Sequence, residues 1–369
     1  MAWLLWNQAV LTFHQLGVAR VIWEPRPLGK SGFRVGPQLS NGAQIILPNN
    51  TGFVQATQRW SLFDPPNFTA VIEMGTEEDV KFANRNNISF LAVTGTHGTI
   101  TRLGKFNGIE IMMRKLNSTV ISKHPALGGC HGILQGKYGI VSDQFVSMRM
   151  VTADRAICEV SSSGPNSDLW WAMQGAGHNF GIVTSINSKV YDMPDGGSWS
   201  YETYVFSHDK VGTSVSTMFP KFTEPFRKLT CNVAGTSQIR FPIGRVSYNA
   251  NAQRALMDTF AQIIGPDSPF NVSQALFEGY PMYGVNAVPD NATAFPHRRD
   301  NQLVTVAMVN IPNPELDAQA VQIGKRLRQS LQNLYGFEPW RLKRPKELKT
   351  KYDPQGRLGY YTPILCESC

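Results

Sequence analysis

The chain has 369 residues, of which 42% are apolar and 17% charged, and its formal net charge is +8. This length and apolar content supply a large buried core, which excludes a disordered or fibrous protein and indicates two domains or one large α/β unit with an insertion. No run of about 18 apolar residues occurs, so no membrane-spanning segment is predicted.

Most of the positive charge lies in residues 325–351, where nine residues are basic and two are acidic. A solvated helix face is the ordinary explanation, and docking of a polyanionic cofactor or an acidic partner domain is the alternative. Zinc-finger spacing, RNA-binding signatures and basic–aromatic alternation are absent from the sequence, so a nucleic-acid partner is not expected.

Cysteine count, the N-terminal segment and the glycosylation sequons disagree on whether the protein is secreted. Five cysteines, an odd number, do not indicate a disulfide framework. The apolar N-terminus lacks a basic region and a clear cleavage site, which makes it a poor signal peptide. Six glycosylation sequons nevertheless favour secretion; they begin at Asn49, Asn67, Asn87, Asn117, Asn271 and Asn291.

In chain order, an irregular segment over residues 1–40 precedes a strand–helix–strand unit. Residues 69–74 are predicted to form a buried strand, and Thr76 is predicted to cap a helix that ends near Asn86. The apolar run 88–93 is the next strand, and it leads directly into the stretch VTGTHGTITRLG. Because α/β folds bind ligands at the carboxyl ends of their strands, this glycine–histidine–glycine loop is a candidate binding loop.

Two further glycine-dense blocks follow, at residues 126–154 and 166–185. Glycine at this density is costly in a regular element and is expected where the backbone approaches a ligand closely or adopts positive φ. Exposed N–H groups in such loops cradle a pyrophosphate, although neither the Rossmann nor the P-loop signature is present. Tight turns without a ligand are the alternative.

Beyond residue 190 the pattern changes to that of an α+β unit. An amphipathic helix is predicted over 254–265, a strand over 303–309 and a long helix from Asn313. Histidines and a cysteine lie near the glycine blocks, but their spacings match no standard zinc site, so no metal is expected; they are His97, His124, Cys130, His131 and His178.

Several stretches together resemble the covalent-flavin oxidoreductases of the vanillyl-alcohol oxidase and p-cresol methylhydroxylase (PCMH) superfamily. The resemblance is to the berberine-bridge-enzyme-like branch, and within it to the fungal secondary-metabolism members. It extends from about residue 40 to residue 364. The stretches are RWSLFDPPNFTAVIEMGTEEDV, FLAVTGTHG, GGCHGILQGKYGIVSDQFVS with NSDLWWAMQGAGHNFGIVTS, and YGFEPWRLKRPKELKTKYDP.

The resemblance implies an α+β fold with a PCMH-type FAD-binding domain of two α/β subdomains and an inserted α+β substrate domain. The implied boundaries are an irregular segment 1–40, an FAD-binding domain 41–190, a shortened substrate domain 191–335 and a C-terminal return to the FAD domain over 336–369. The return segment is expected to pack on the FAD domain and to direct part of its positive charge toward Glu73, Glu77 and Glu78.

The resemblance also implies FAD as the cofactor, attached covalently through a ring nitrogen of His97. No cysteine lies in residues 118–129, so a second covalent bond is not expected. The implied FAD contacts are Thr94, Gly95, Thr96, His97 and Gly98 in the first block, Gly128, Gly129, His131, Gly132, Gly136, Tyr138, Gly139 and Asp143 in the second, and Gly175, Gly177, Asn179, Gly181, Ile182 and Val183 in the third.

The expected activity is removal of a hydride from a small organic molecule or secondary metabolite, with reoxidation by O2, in a monomer. The spacing departs from the family after Asn117, after Phe206 and before Tyr335, where the family has additional elements. No catalytic base can be assigned, because the Tyr-x-Asn-Tyr strand of the family is absent. Because the missing elements include one wall of the family's flavin site, the chain is expected to bind flavin poorly or not at all. A non-catalytic or truncated remnant of the family and a basic interaction module acting through 325–351 are the alternatives.

Overall fold

The computed structural model describes residues 39–85, 88–118, 134–191, 199–204, 214–219, 235–247, 249–332 and 340–364. These residues form an α+β structure of three larger sheets and a two-stranded ribbon. The ribbon pairs β8, Trp199–Tyr204, with β9, Ser214–Phe219, in antiparallel register. No helix in these ranges is long and apolar enough to cross a membrane.

The first sheet has the order β1-β2-β4-β3. Three of its strands are parallel and β1 is antiparallel to β2. Asp79 accepts hydrogen bonds from the amide and the hydroxyl of Thr76, at 2.9 and 3.4 Å. The Asp79 half of the predicted cap is therefore present, whereas the Thr76 hydroxyl donates to Asp79 and does not accept from the helix. The elements are β1 Gln44–Ile46, α1 Phe53–Ala56, β2 Asn67–Glu73, α2 Glu78–Arg85, β3 Phe90–Val93, a 3-10 turn Leu103–Lys105 and β4 Asn107–Met112.

The second sheet is antiparallel and has the order β6-β5-β7. Val151 and Ile182 of this sheet pack against Ile109 and Ile111 of β4, which joins the first two sheets through one apolar core. Its elements are α3 Gln135–Tyr138, a 3-10 turn Val141–Gln144, β5 Phe145–Thr152, β6 Ile157–Ser161, α4 Ser167–Ala176, a 3-10 turn Gly177–Asn179 and β7 Gly181–Ser188.

The third sheet, of order β10-β12-β11, carries two helices on one face. Apolar residues at helical spacing, among them Leu256, Phe260 and Leu327, pack against its strands. The elements are β10 Ser237–Arg245, α5 Ala250–Ile263, β11 Gln274–Gly279, α6 Tyr283–Asn286, β12 Gln302–Asn310 and α7 Pro314–Gln332.

The last helix, α8, spans Trp340–Tyr352 and packs on the second sheet and α4. Leu348 shares a core with Met148, Leu169 and Phe180. Lys351 forms an ion pair of 2.6 Å with Asp168 at the start of α4. The described part of the C-terminal segment therefore contacts residues 145–188, which is the packing that the resemblance implies.

The expected charge contacts of this segment are wrong. Glu73, Glu77 and Glu78 form ion pairs with Lys115, Arg149 and Lys81 instead, at 2.7, 2.7 and 3.0 Å. Lys115 lies in the turn after β4, Arg149 lies on a strand of the second sheet, and Lys81 lies one helix turn from Glu78, so all three reach the carboxylates without the C-terminal segment. The solvated-face interpretation also fails at one position, because Lys349 is buried and pairs with buried Asp353 at 2.6 Å.

The dipeptide Asn107–Gly108 favours a turn by its sequence, but this interpretation is wrong. Both residues belong to β4 and pair with Asn67 and Phe68 of β2. A 3-10 turn, Leu103–Lys105, lies just before them. The predicted strands at 69–74 and 303–309, the helix ending near Asn86 and the long helix after Asn313 are present.

Candidate functional site

The loop 94–98 begins where β3 ends, at the carboxyl edge of the parallel strands. Thr96 adopts a positive φ of 55°, and the carbonyls on either side of His97 are both held. The amide of Trp60 donates to the carbonyl of Thr96 at 3.3 Å, and Nη2 of Arg59 donates to the carbonyl of Gly98 at 2.7 Å. The backbone on both sides of the histidine is thus tied to the segment that precedes β2.

The ring of His97 is half-buried, and its Nδ1 lies 3.2 Å from the carbonyl oxygen of Gly95. Because a carbonyl oxygen only accepts, Nδ1 carries the proton in this contact. The neutral ring then has its lone pair on Nε2, the nitrogen that can act as a nucleophile. Thr94 and Gly95, the first residues of the loop, are exposed.

Tyr361 connects the first glycine block to the third. A side chain at Gly98 would meet the Tyr361 ring 2.9 Å away, so the ring packs directly on the glycine. On the other side, the rings of Tyr361 and His178 pack edge to face, with centroids 5.6 Å apart. The hydroxyls of Tyr361 and Thr362 are buried there and have no hydrogen-bond partner among the residues that the structure describes.

His178 is held in its neutral form. Burial lowers its pKa to about 4, although its Nε2 lies 3.1 Å from the carbonyl of Thr362, a contact that raises the pKa. The positive charge of Lys349 lowers it further. A neutral imidazole beside two hydroxyls makes a polar but uncharged wall, which suits an aromatic or hydroxylated part of a ligand rather than a phosphate.

A buried carboxyl group lies on β4, beside the strand β3 that leads into the first block. Glu110 of β4 is 1% exposed, and one of its oxygens has no hydrogen-bond partner among the described residues. Burial raises its pKa to about 7 against the opposing charges of Arg114 and Arg59. Burial likewise lowers the pKa of Arg59, and the charge of Glu110 opposes that shift.

The second block packs against the region that follows β11. Asp143 forms a bidentate pair with Arg298, with N–O distances of 2.6 and 3.0 Å, and both side chains are buried. Gly139 has φ of 81°, and a side chain there would meet the carboxylate of Asp143 at 2.6 Å and the carbonyl of Gly284 at 3.2 Å. Packing on protein atoms is therefore a sufficient reason for this glycine.

The remaining predicted positions of the second block also have protein neighbours. Gly136 lies against Pro281, and Tyr138 stacks on Tyr191 with centroids 4.1 Å apart. The predicted contacts Gly128, Gly129, His131 and Gly132 lie outside the described residues.

The third block is held by the C-terminal segment and the second sheet. The side chain of Asn179 accepts from the amide of Ile364 at 2.8 Å, and its backbone carbonyl accepts from Lys349 at 2.9 Å. Ile182 and Val183 lie in the cores of the second sheet. The other glycines again approach protein atoms closely: Gly175 the backbone of Phe295, Gly177 the side chain of Met173, and Gly181 Met150 with Val151.

The structure brings the described parts of the three blocks together. Tyr361 joins the first to the third, and Gln174 of α4 donates to the carbonyl of Ser142 in the second at 2.8 Å. Near the second block, the described residues line a cavity of about 490 Å³ that is open to solvent. Its lining includes Met282, Asn286, Asp290, Arg299 and Asn301.

Sequence reasoning missed the residues that hold the first loop. Arg59 and Tyr361 lie inside or beside the quoted family stretches, but neither was singled out, because their role depends on contacts across 39 and 263 positions of the chain. Glu110 did carry a signal: it is the one charged residue in the apolar strand GIEIMM. A charge inside a strand that is otherwise apolar is rarely buried without a reason.

Comparison with known proteins places the chain in a family. The FAD-linked oxidoreductase chyH of Penicillium rubens is 31% identical to it, across 89% of this chain and 92% of that protein. The FAD-linked oxidoreductases chry5 of Gibberella zeae and anuG of Penicillium roqueforti are each 30% identical, across 93% and 91% of their own lengths. The chain belongs to the FAD-linked oxidoreductases. No protein-family model matches the sequence.

Solved structures show the same fold at low sequence identity. A chitooligosaccharide oxidase matches with a TM-score of 0.72 at 13% identity, over 88% of this chain and 97% of that one. The 6-hydroxy-D-nicotine oxidase of Arthrobacter nicotinovorans matches with a TM-score of 0.67 at 16% identity, over 90% and 99%. The predicted family, the α+β PCMH-type fold and the oxidoreductase class with FAD as the family's cofactor are confirmed.

The alignments also bear on the predicted shortening. The alignment with chyH spans 464 positions, more than the 369 residues of this chain, so it contains stretches with no counterpart here. Internal segments of the relatives are therefore absent. The sequence junctions at which the shortening was predicted fall at or beside ranges outside the described residues.

The described residues fit an FAD in their donor set. The two buried hydroxyls of Tyr361 and Thr362, between the first and third blocks, have no hydrogen-bond partner within the described part of the chain. His97 supplies a ring nitrogen with a lone pair. These groups match an extended cofactor that has hydroxyls and an electrophilic ring methyl group.

Proposed function

We propose that this chain is an FAD-dependent oxidase that carries its FAD covalently on His97. The observation that supports the proposal is the braced loop 94–98, at the carboxyl edge of the parallel strands in a member of the FAD-linked oxidoreductases. When bound, FAD supplies the chemistry of accepting a hydride from a substrate carbon and passing the electrons to O2. Overall, the substrate loses two electrons and two protons, and O2 becomes hydrogen peroxide.

The chain's own residues have distinct parts in this proposal. His97 provides the attachment nitrogen, with the proton held on Nδ1 by the carbonyl of Gly95. His178, Tyr361 and Thr362 form a neutral polar wall between the first and third blocks. The proposed FAD contacts in the second block include Gly136, Tyr138 and Gly139, whose positions are set by the packing of α3 on α6.

We place a small organic substrate near the cavity beside the second block. Met282 in its wall touches the Gln135 side chain of α3, with Nε2 and Sδ 3.3 Å apart. The cavity combines apolar and polar side chains, which is typical of sites for small organic molecules. The working unit in this proposal is a monomer, which light scattering of the purified protein tests directly.

The absorbance spectrum of the purified protein tests the proposed function. Expression with added riboflavin should give a yellow protein whose flavin bands bleach when a reductant is added under nitrogen and return with air. Hydrogen peroxide should then appear in proportion to the substrate oxidised in a panel of alcohols, sugars and amines. A soluble protein that stays colourless after incubation with FAD would contradict the proposal.

A second function is supported by the long unmatched stretches in the alignments. In that case the chain keeps the fold without a competent flavin site and acts only by binding. The same spectrum separates the two, because a binding protein of this kind is folded and colourless. Circular dichroism with a cooperative thermal transition would establish that such a colourless product is folded.

We also propose that the protein is secreted and glycosylated. In the described residues, five of the predicted acceptor asparagines are exposed, namely Asn49, Asn67, Asn117, Asn271 and Asn291. Exposure is what transfer of a glycan requires. Protein from culture medium should lose mass on treatment with an N-glycosidase; an unchanged mass would contradict this proposal.

A further inference from the structure

Two hydrogen bonds tie the backbone on either side of His97 to adjacent residues of one segment. Trp60 donates its amide to the carbonyl of Thr96 at 3.3 Å. Arg59 donates its guanidinium to the carbonyl of Gly98 at 2.7 Å. The loop is short and contains two glycines, so its backbone needs such ties to keep a single conformation.

Holding the loop through Arg59 costs desolvation free energy. Its guanidinium is partly removed from water, and burial lowers its pKa. The charge of Glu110 on β4 opposes this shift. Glu110 is itself buried, and one of its oxygens has no hydrogen-bond partner among the residues that the structure describes. A neutral hydrogen-bond donor would have held the loop without the cost of removing a cation from water.

We infer that Arg59 is a positioning residue for covalent flavin attachment, which it promotes by holding the loop 94–98 with His97 in the attacking geometry. This inference rests on the proposed attachment at His97. In that attachment the new bond from the ring nitrogen to the flavin methyl carbon would replace one C–H bond, the imidazole would lose one proton, and the two electrons and two protons released would reduce O2 to hydrogen peroxide. Arg59 itself forms no bond to the cofactor in it. The brace accelerates attachment because a positioned nucleophile needs no ordering when the bond forms.

The ring of Tyr361 closes the same loop from the opposite direction. It packs on Gly98, and its hydroxyl is buried. The charge of Arg59 also acts on this hydroxyl, by opposing the rise in pKa that burial causes. The loop thus lies between a cation and an aromatic ring, and loss of the cation leaves the ring contact in place. A variant at Arg59 is therefore expected to loosen the loop without unfolding the domain.

The test compares Arg59→Met, Arg59→Lys and the matched control Arg102→Met, which removes an exposed arginine beyond the loop. FAD is added to protein made without riboflavin, samples are precipitated with acid over time, and the flavin that remains in the precipitate is quantified. The rise of this quantity gives the rate of covalent incorporation. Loss of one charge-assisted hydrogen bond should slow incorporation about tenfold or more in Arg59→Met. Arg59→Lys should recover part of the rate, and Arg102→Met should match the wild type.

Hydrogen exchange in the flavin-free protein gives a second measurement. Amides of residues 94–98 should exchange about tenfold faster in Arg59→Met than in wild type, while amides of the third sheet stay unchanged. Wild-type exchange and wild-type incorporation in Arg59→Met would overturn the inference. If wild-type protein takes up no covalent flavin, the proposed attachment at His97 is wrong. In that case, unchanged hydrogen exchange of residues 94–98 in Arg59→Met would separately contradict the stabilisation of the loop by Arg59.

Discussion

At the scale of single residues, Glu110 makes stability depend on pH. Its folded-state pKa, about 7, lies above the ordinary value of 4.5, so the folded protein holds this proton more tightly than the unfolded chain does. The contribution to stability is full below pH 4.5 and is lost as the pH rises through about 7. The shift corresponds to about 3 kcal/mol at alkaline pH.

Glu110→Gln should therefore be more stable than wild type at pH 8 by about 1–3 kcal/mol and nearly equal to it at pH 5. Urea unfolding at both pH values measures the difference. Glu78→Gln is the control, because that carboxylate is exposed in a surface ion pair. Equal effects of Glu110→Gln at pH 5 and pH 8 would show that Glu110 is not buried as a titrating group.

The sequence predicts site residues where a motif is local and misses them where contacts are long-range. His97 is recognisable because the strand and its loop are contiguous in the chain. Arg59 and Tyr361 meet this loop only in the folded protein. Asp143 shows the converse: the motif selects it as an FAD contact, and the structure pairs its carboxylate with Arg298.

At the scale of elements, α8 is fastened by a buried ion pair. Lys349 donates to Asp353 at 2.6 Å and to the carbonyl of Asn179 at 2.9 Å. Lys349→Met removes the cation and leaves Asp353 as an uncompensated buried charge. Such a loss typically costs about 3–5 kcal/mol. The melting temperature of purified protein should fall accordingly.

Lys351→Met is the matched control, two positions along the same helix. Lys351 is exposed and pairs with Asp168 at the surface. Surface pairs of this kind contribute little to stability, so this variant should melt near the wild type. If both lysine variants melt at the wild-type temperature, Lys349 does not fasten α8 in the way described.

Elements with strong local sequence signals were predictable, but the conformation of residues 107–108 was not. The cap at Asn313 and the apolar spacing of α7 place that helix correctly. Residues 107–108 were expected to turn, because the pair Asn–Gly favours turns. Pairing with β2 overrides this preference, since Gly108 is buried between neighbouring strands.

At the scale of the whole molecule, the pair Asp143–Arg298 joins parts of the chain 155 positions apart. Arg298 is 1% exposed and also bonds to Thr293 at 2.9 Å. Arg298→Met should destabilise the protein by about 3–5 kcal/mol, since Asp143 would remain buried and unpaired. Arg299→Met, at a mostly exposed neighbour, is the control. Denaturant unfolding measures both, and equal stability of the two variants would contradict this account.

The fold of the molecule was predictable from several motifs taken together, and relatives at 30–31% identity align with 89% of the chain. The absence of internal segments was also visible in the spacing of these motifs along the chain. The ion-pair partners of the basic residues in 325–351 were not predictable from the sequence. Neighbouring cations satisfy the acidic residues of the first sheet, and Lys349 is buried. Such pairing depends on how the sheets pack.

Peptide mapping of the purified holoprotein tests the central claim most directly. Cleavage after Arg85 and Arg102 releases one peptide in which His97 is the only histidine. The account predicts that this peptide carries the mass of FAD, that fragmentation places the flavin on His97, and that His97→Ala yields the peptide without it. FAD found on another peptide, such as one containing Cys130, or retained covalently by His97→Ala, would contradict the account.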